Sequence, residues 1–282
     1  MEPIEPLEPT PEADTVGPQQ ISAAVSVARR IAENIQRAVK VREDILENVI
    51  VSLLAEGHIL VEDYPGVGKT ALARALSRSI DCQFARVQCT ADLLPADIVG
   101  TNVYNQREAR FEFRPGPIFA NVVIVDEINR ASPKTQSGLL ECMQERHVTV
   151  DVHSHELARP FLVFATQNPV EYEGTYPLPE AQVDRFMMRL SLGYPTARAE
   201  ADMLRVHETH DRVAELDPVA TAADVVAAQR AADRVHASDA RIRSAERWAS
   251  STSAAVATAS SSAVRSPTSW RASMSASAPA LG

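Results

Sequence analysis

Lys69 and Thr70 stand next to each other, behind Pro65-Gly66-Val67-Gly68 and ahead of Ala71-Leu72-Ala73. An ammonium and a hydroxyl placed directly after glycines suit the binding of a phosphate chain with its metal ion. Backbone N–H groups of such a loop converge on a phosphate, while the lysine reaches the outer phosphates and the threonine hydroxyl holds Mg2+. Gly66 and Gly68 let the backbone come close and adopt φ values that other residues resist. The cofactor-binding residues read from this loop are Pro65, Gly66, Val67, Gly68, Lys69, Thr70 and Ala71. One position departs from the full G-x-x-x-x-G-K-[ST] spacing, because Asp63 stands where its first glycine would be.

A second pair of residues complements the first. Asp126 and Glu127 close the apolar run Val122-Val123-Ile124-Val125. A continuous apolar strand belongs in the middle of a parallel sheet covered on both faces. The carboxyl end of such a strand is where ligands bind. There Asp126 would bind Mg2+ through its water shell, and Glu127 would polarise an attacking water. Taken alone, the strand could simply end in two solvated acids; paired with the loop at Lys69 it reads as a site for Mg-ATP.

The elements that position these residues follow from periodicity. His58-Ile59-Leu60-Val61 predicts a strand ahead of the loop, and Ala71–Leu76 a helix behind it. Further strands are predicted at Phe84–Cys89, Val122–Val125, Phe161–Thr166 and Arg189–Leu192. Helical spacing predicts helices over Ile21–Val39 and Glu43–Ala55. Ser132 and Pro133 suit the cap and first turn of a helix running to Glu145. Alternation over His147–Val152 predicts a hairpin before the fourth strand. Strands and helices in this order predict an α/β fold with a doubly wound parallel sheet. Beyond Tyr194-Pro195, helices are expected over 197–213 and 222–235.

Bulk properties limit the alternatives. The chain has 282 residues, a formal charge of −9 and a pI near 5.3, so it lacks the basic footprint of a nucleic-acid binder. No apolar run reaches the length of a membrane span. The acidic, proline-rich start is unlike a signal peptide, and a cytoplasmic location is expected. Cys82, Cys89 and Cys142 show neither zinc nor disulfide spacing. His207-Glu208-Thr209-His210 lacks the spacing of a zinc-protease motif, and His153 and His155 alternate on a predicted strand; these histidines read as exposed.

Several ordered blocks together resemble the MoxR-type AAA+ ATPases. They are Asp126-Glu127-Ile128-Asn129-Arg130-Ala131, Lys134-Thr135-Gln136-Ser137, Leu140–Glu145, Ala165-Thr166-Gln167-Asn168-Pro169 and Glu171–Phe186. Asp92–Gly100 is similar to the insertion in that family's second helix, and Phe113–Asn121 to the approach to its third strand. The likeness runs from about residue 21 to 195. It implies a sheet in the order 5-1-4-3-2, an all-helical lid, and a homo-oligomeric ring, most often a hexamer, with Mg-ATP at subunit interfaces. It gives Asn168 the role of first sensor at the γ-phosphate and Arg185 that of the finger offered to a neighbour's ATP. It implies a chaperone that remodels or matures a partner, often one with a von Willebrand factor A domain. The insertion near Asp97 and the hairpin near Val150 are where such a partner is expected to touch.

The domain reading is an acidic tail over 1–18, a nucleotide-binding domain over 19–195, a partial lid over 196–245 and an Ala/Ser-rich tail over 246–282. The family's Gly-Ala-Ser-Pro-Arg lid block, with its second sensor, is missing from the sequence, and near Val41 the usual Val-Gly pair is absent. After about Arg241 the likeness stops abruptly, as it would in a shifted reading frame of GC-rich DNA; a divergent tail is the alternative. Two function classes therefore stand: an ATP-hydrolysing AAA+ chaperone, or an ATP-binding ring component that is truncated or deficient in hydrolysis. A small kinase or nucleic-acid motor fits less well with the acidic balance and the Asn129-Arg130-Ala131 block.

Overall fold

The computed structural model describes residues 16–63, 67–151, 153–168, 174–193 and 211–235. Its elements, in chain order, are α1 (Pro18–Ala38), α2 (Glu43–Leu54), β1 (Ile59–Glu62), α3 (Lys69–Ile80), β2 (Phe84–Gln88), α4 (Pro95–Val99), β3 (Gly100–Asn105), β4 (Arg110–Pro115), β5 (Val122–Asp126), α5 (Pro133–Glu145), β6 (His147–Val150), β7 (His153–Glu156), β8 (Leu162–Gln167), α6 (Glu180–Val183), β9 (Met188–Leu190) and α7 (Ala222–Asp233).

Five of the strands form one parallel sheet in the order β2-β5-β8-β1-β9. Numbered among themselves along the chain, they read 5-1-4-3-2 across it. Period-two geometry divides every inner strand between two cores. Val122 and Ile124 of β5 pack with α1, α2 and α3, while Val123 and Val125 pack with α5. All five β5 positions are buried, as an inner strand covered on both faces requires.

The helices obey local signals. Ala24, Val27, Ala28, Ile31 and Ile35 put one buried stripe on α1. Full burial of each of the two isoleucines contributes about 1.5–3 kcal/mol. Ser132 caps α5 by accepting the Thr135 N–H at 3.3 Å, with Pro133 in the first turn. The expected hairpin over 147–152 is present as β6 and β7, antiparallel, with Val150 opposite His153.

A second hairpin was not among the expected elements. β3 and β4 pair antiparallel from Gly100 opposite Pro115 to Asn105 opposite Arg110. Gly100 has φ +93°, and a Cβ on it would meet Arg114 O at 2.3 Å. No side chain fits at that crossing. The two hairpins touch: His155 stacks on Phe113 with centroids 4.0 Å apart, and Asn102 Nδ2 donates to Asp151 Oδ2 at 2.6 Å.

The expected helix over 197–213 lies mostly outside the described residues, and its end differs. Residues 212–215 form turns, because the Asp211 carboxylate accepts the N–H groups of Val213 (3.1 Å) and Ala214 (3.3 Å) in place of helical carbonyls. The chain then lies on α3, where Ser79 O accepts the N–H groups of Val219 and Ala220. Thr221 and Asp224 cap α7 reciprocally, and its Val225, Ala228 and Ala232 join the core of α1 and α2. Both expected tails, apart from the few residues around Val16 to Pro18, lie outside the described residues.

Candidate nucleotide site

Three neighbouring strands, β5, β8 and β1, deliver their carboxyl ends to one edge of the sheet. Tyr64, Pro65 and Gly66 lie outside the described residues. The rest of the loop is defined. Gly68 precedes α3 with φ +89°, a left-handed value that favours glycine although space around it is open. The first N–H to donate inside α3 is that of Leu72, to Gly68 O at 3.0 Å. The N–H groups of Lys69, Thr70 and Ala71 therefore stand ahead of the intrahelical ladder, at the positive end of the helix.

Lys69 is half-buried, and its Nζ donates to Asp63 O at 2.8 Å. Burial pulls its ammonium below the usual lysine range, and the charges of Asp63, Asp126 and Glu127 pull it back up. The three carboxylates are thus electrostatic neighbours of one cation. Asp63, at the non-glycine position, has a structural task. Its buried carboxylate accepts from Ser191 Oγ at 3.1 Å, from Gly193 N at 3.3 Å and from Leu192 N. It ties the end of β1 to the segment leaving β9.

Asp126 is 8% exposed. Its Oδ2 accepts from Arg86 Nε at 2.7 Å, and the Thr166 hydroxyl lies 3.4 Å from Oδ1. Glu127 adopts φ +57°, a left-handed conformation that is uncommon for a residue with a side chain. Its N–H donates to Thr166 Oγ1 at 3.0 Å, and its Oε2 accepts from Gln88 Nε2 at 3.0 Å and Arg130 Nη1 at 3.2 Å. In a regular strand two consecutive carboxylates point to opposite faces. Here Arg86 and Gln88, two residues apart on β2 and so on one face, each hold one of the pair. The left-handed turn at Glu127 brings both acids to the face that carries α3.

The structure therefore brings Lys69, Asp126 and Glu127 together, with Thr70 on the first turn of α3. Asn168 follows β8 directly and is half-buried. Arg185 does not join them. It is exposed and precedes β9, at the opposite edge of the sheet from the loop, since β9 runs parallel to β1 with Met188 opposite Ile59. Sequence reasoning missed Arg86, Gln88 and Thr166. The available signal was the alternation of Arg86 and Gln88 beside an acid-tipped strand. Cys89, buried next to the site, is pushed up to about 12 by burial and then by Asp126 and Glu127, so it stays a thiol.

A nearly buried carboxylate and a hydroxyl suit Mg2+, which prefers one or two protein oxygens and takes the rest of its shell from phosphates and water. Asp126 and Thr70 offer that donor set. Among the described residues no cluster of three or more His, Cys, Asp or Glu could hold a metal by itself.

Comparison with known proteins identifies the family. Residues 58–188 match the ATPase family associated with various cellular activities (AAA). The chain is 43% identical over 196 residues to Chaperone MoxR1 of Mycobacterium tuberculosis, covering 70% of this chain and 52% of that protein. This chain belongs to the MoxR family of AAA+ ATPases. It is 54% identical over 190 residues to the uncharacterized protein YeaC of Bacillus subtilis, covering 67% of this chain and 59% of YeaC. The structure of a candidate ATPase from Cytophaga hutchinsonii superposes with a TM-score of 0.72 at 37% identity, over 81% of this chain and 70% of that one. The chain spans a little over half the length of the curated relatives it matches. An AAA domain of this family is a nucleotide-binding domain. Among the described residues no helix is long and apolar enough to cross a membrane.

Proposed function

We propose that this MoxR-family chain binds Mg-ATP at the carboxyl edge of its sheet and hydrolyses it to remodel or mature a partner protein. The observation that carries the reading is the convergence of Lys69, Asp126 and Glu127 on one face, at the N-terminus of α3. Lys69 and the open N–H groups of Lys69, Thr70 and Ala71 would take the phosphates. Asp126 and Thr70 would hold Mg2+, whose role is to neutralise charge on the phosphates. Glu127 would orient and polarise the attacking water, and Asn168 would sense the γ-phosphate. Arg185, exposed and away from this chain's own loop, suits a finger completing a neighbour's site in a homo-oligomeric, hexameric ring. A relative bearing the name chaperone supports the remodelling role. A partner with a von Willebrand factor A domain is the client we expect, met by the two hairpins. The residues beyond 195 would begin a helical lid. Three unpaired cysteines suit a reducing compartment such as the cytoplasm.

A second reading keeps nucleotide binding but removes turnover. The pairing of Asp126 with Arg86 and of Glu127 with Gln88 and Arg130 favours it, since both acids are already engaged. One experiment separates the two: equilibrium binding of ATP and release of phosphate, measured on the same preparation with and without Mg2+. Binding with turnover supports the first reading, binding without turnover the second. Absence of binding removes both.

A further inference from the structure

Asp126, the carboxylate assigned to Mg2+, already holds a cation. Arg86 Nε donates to its Oδ2 at 2.7 Å, and Asp126 is otherwise met by the Thr166 hydroxyl at 3.4 Å from Oδ1. An ionised carboxylate that is nearly buried is costly without a counter-charge, and Arg86 supplies one from the edge strand β2. We propose that Arg86 is the resident counter-cation of Asp126 in the nucleotide-free chain and releases Oδ2 when Mg-nucleotide is taken up. The inference rests on the nucleotide-site reading above.

Three features fit a partner that can leave. The contact runs through Nε alone and is not the two-pronged fork that makes arginine–carboxylate pairs rigid. The Arg86 side chain is 55% exposed while that of Asp126 is 12% exposed, so the released guanidinium passes into water and only the acid needs a replacement. The neighbouring acid is treated differently. Glu127, which must act on water and not bind a metal, receives the neutral amide of Gln88 from the same face of β2, at 3.0 Å, with Arg130 on its solvent side. β2 thus gives a charged donor to the acid assigned to the metal and a neutral donor to the acid assigned to water.

Competition has a measurable sign. If the metal-ready form of Asp126 is only a fraction of the population, the apparent affinity for Mg2+ falls by that fraction. Removing the guanidinium should then make Mg2+ act at lower concentration, which loss of a purely structural contact would not do. The experiment is a Mg2+ titration of the binding of N-methylanthraniloyl-ADP to the full chain, a probe that needs no turnover. We expect the Mg2+ midpoint of Arg86→Ala to lie about fivefold to tenfold below that of the unaltered chain. Arg86→Gln should shift the same way and serves if the alanine variant fails to fold. Arg86→Lys, which keeps the charge, should return the midpoint toward the unaltered value. An unchanged or higher midpoint in folded Arg86→Ala and Arg86→Gln overturns the inference alone. Failure of the unaltered chain to bind the probe at any Mg2+ concentration overturns the nucleotide-site reading, and the inference with it.

Discussion

β1 is flanked by a buried polar residue at each end, and the two ends are built on opposite terms. At the start, His58 is 5% exposed and satisfied by backbone alone: its Nδ1 accepts the Val163 N–H at 3.1 Å, so its Nε2 carries the proton donated to Met143 O at 3.0 Å. Phe161 packs edge-on against the ring. Burial lowers its pKa to about 4, so the ring is neutral. At the other end, Asp63, Lys69, Asp126 and Glu127 are held largely by side chains and segments from other elements, Arg86, Gln88, Arg130 and Ser191–Gly193 among them. One edge fixes a neutral group with partners that cannot leave. The other collects charges whose partners can be exchanged. The second kind of edge suits a nucleotide's phosphates, which bring charges of their own, and the first kind has nothing to exchange.

Substitutions in the nucleotide machinery carry the largest expected effects. Lys69→Ala should weaken ATP binding by about a hundredfold or more, because a charged donor to the phosphates is lost. Calorimetric titration checks it, and near-normal affinity would break the comparison at its centre. Arg185→Ala should bind ATP normally and hydrolyse it about a thousandfold more slowly, the low end of what finger arginines supply. Mixed with Lys69→Ala subunits it should regain part of its activity, since some interfaces would then pair bound ATP with an intact finger. No recovery in rings shown to be mixed would argue against action between subunits. Glu127→Gln should leave ATP bound while turnover falls about a hundredfold, within the range for general base catalysis; phosphate release at the parental rate would remove Glu127 from that role.

The holding edge makes a pH prediction. Because the folded pKa of His58 lies below its unfolded value near 6.5, the unfolded chain takes up a proton that the folded one refuses. The contribution of His58 is therefore complete above about pH 6.5 and declines as pH falls toward 4, by about 3 kcal/mol in all. Urea unfolding of the unaltered chain at pH 7.5, 6 and 5 should show this loss. His58→Gln should be less stable at neutral pH yet lose less on acidification. Equal pH dependence in the two proteins would show that His58 is not the source. Mg2+ and ADP should raise the midpoint of unfolding at every pH without removing the slope, since they act at the far edge.

Much of the frame was legible because it rests on local patterns. The apolar runs of β1, β5 and β8, the stripe on α1 and the Ser132-Pro133 start of α5 each carry their own signal. The glycines and Lys69-Thr70 marked the loop without any partner in view. What escaped was long-range or irregular. The alternation Arg110-Phe111-Glu112-Phe113-Arg114 was a signal for β4 that went unread, because the turn Gln106–Ala109 has no glycine to mark a hairpin; Ala109 takes the left-handed turn conformation itself. The partnership of Arg86 with Asp126 spans two strands that are neighbours only in the folded sheet. The departure at Asp63 could be seen but not understood, because its partners Ser191, Leu192 and Gly193 come from the far end of the domain.

The contact between the hairpins has a mechanical consequence. β3–β4 is rooted at Gly100, where the backbone crosses Arg114 too closely for any side chain, and β6–β7 is rooted on the end of α5. The stack of His155 on Phe113 and the bond from Asn102 to Asp151 brace one against the other. Two hairpins braced in this way behave as a truss. A load applied at the tip of either is expected to be carried down two stems, and to reach the α5 side of the sheet as a push along a helix as well as a bend in a loop.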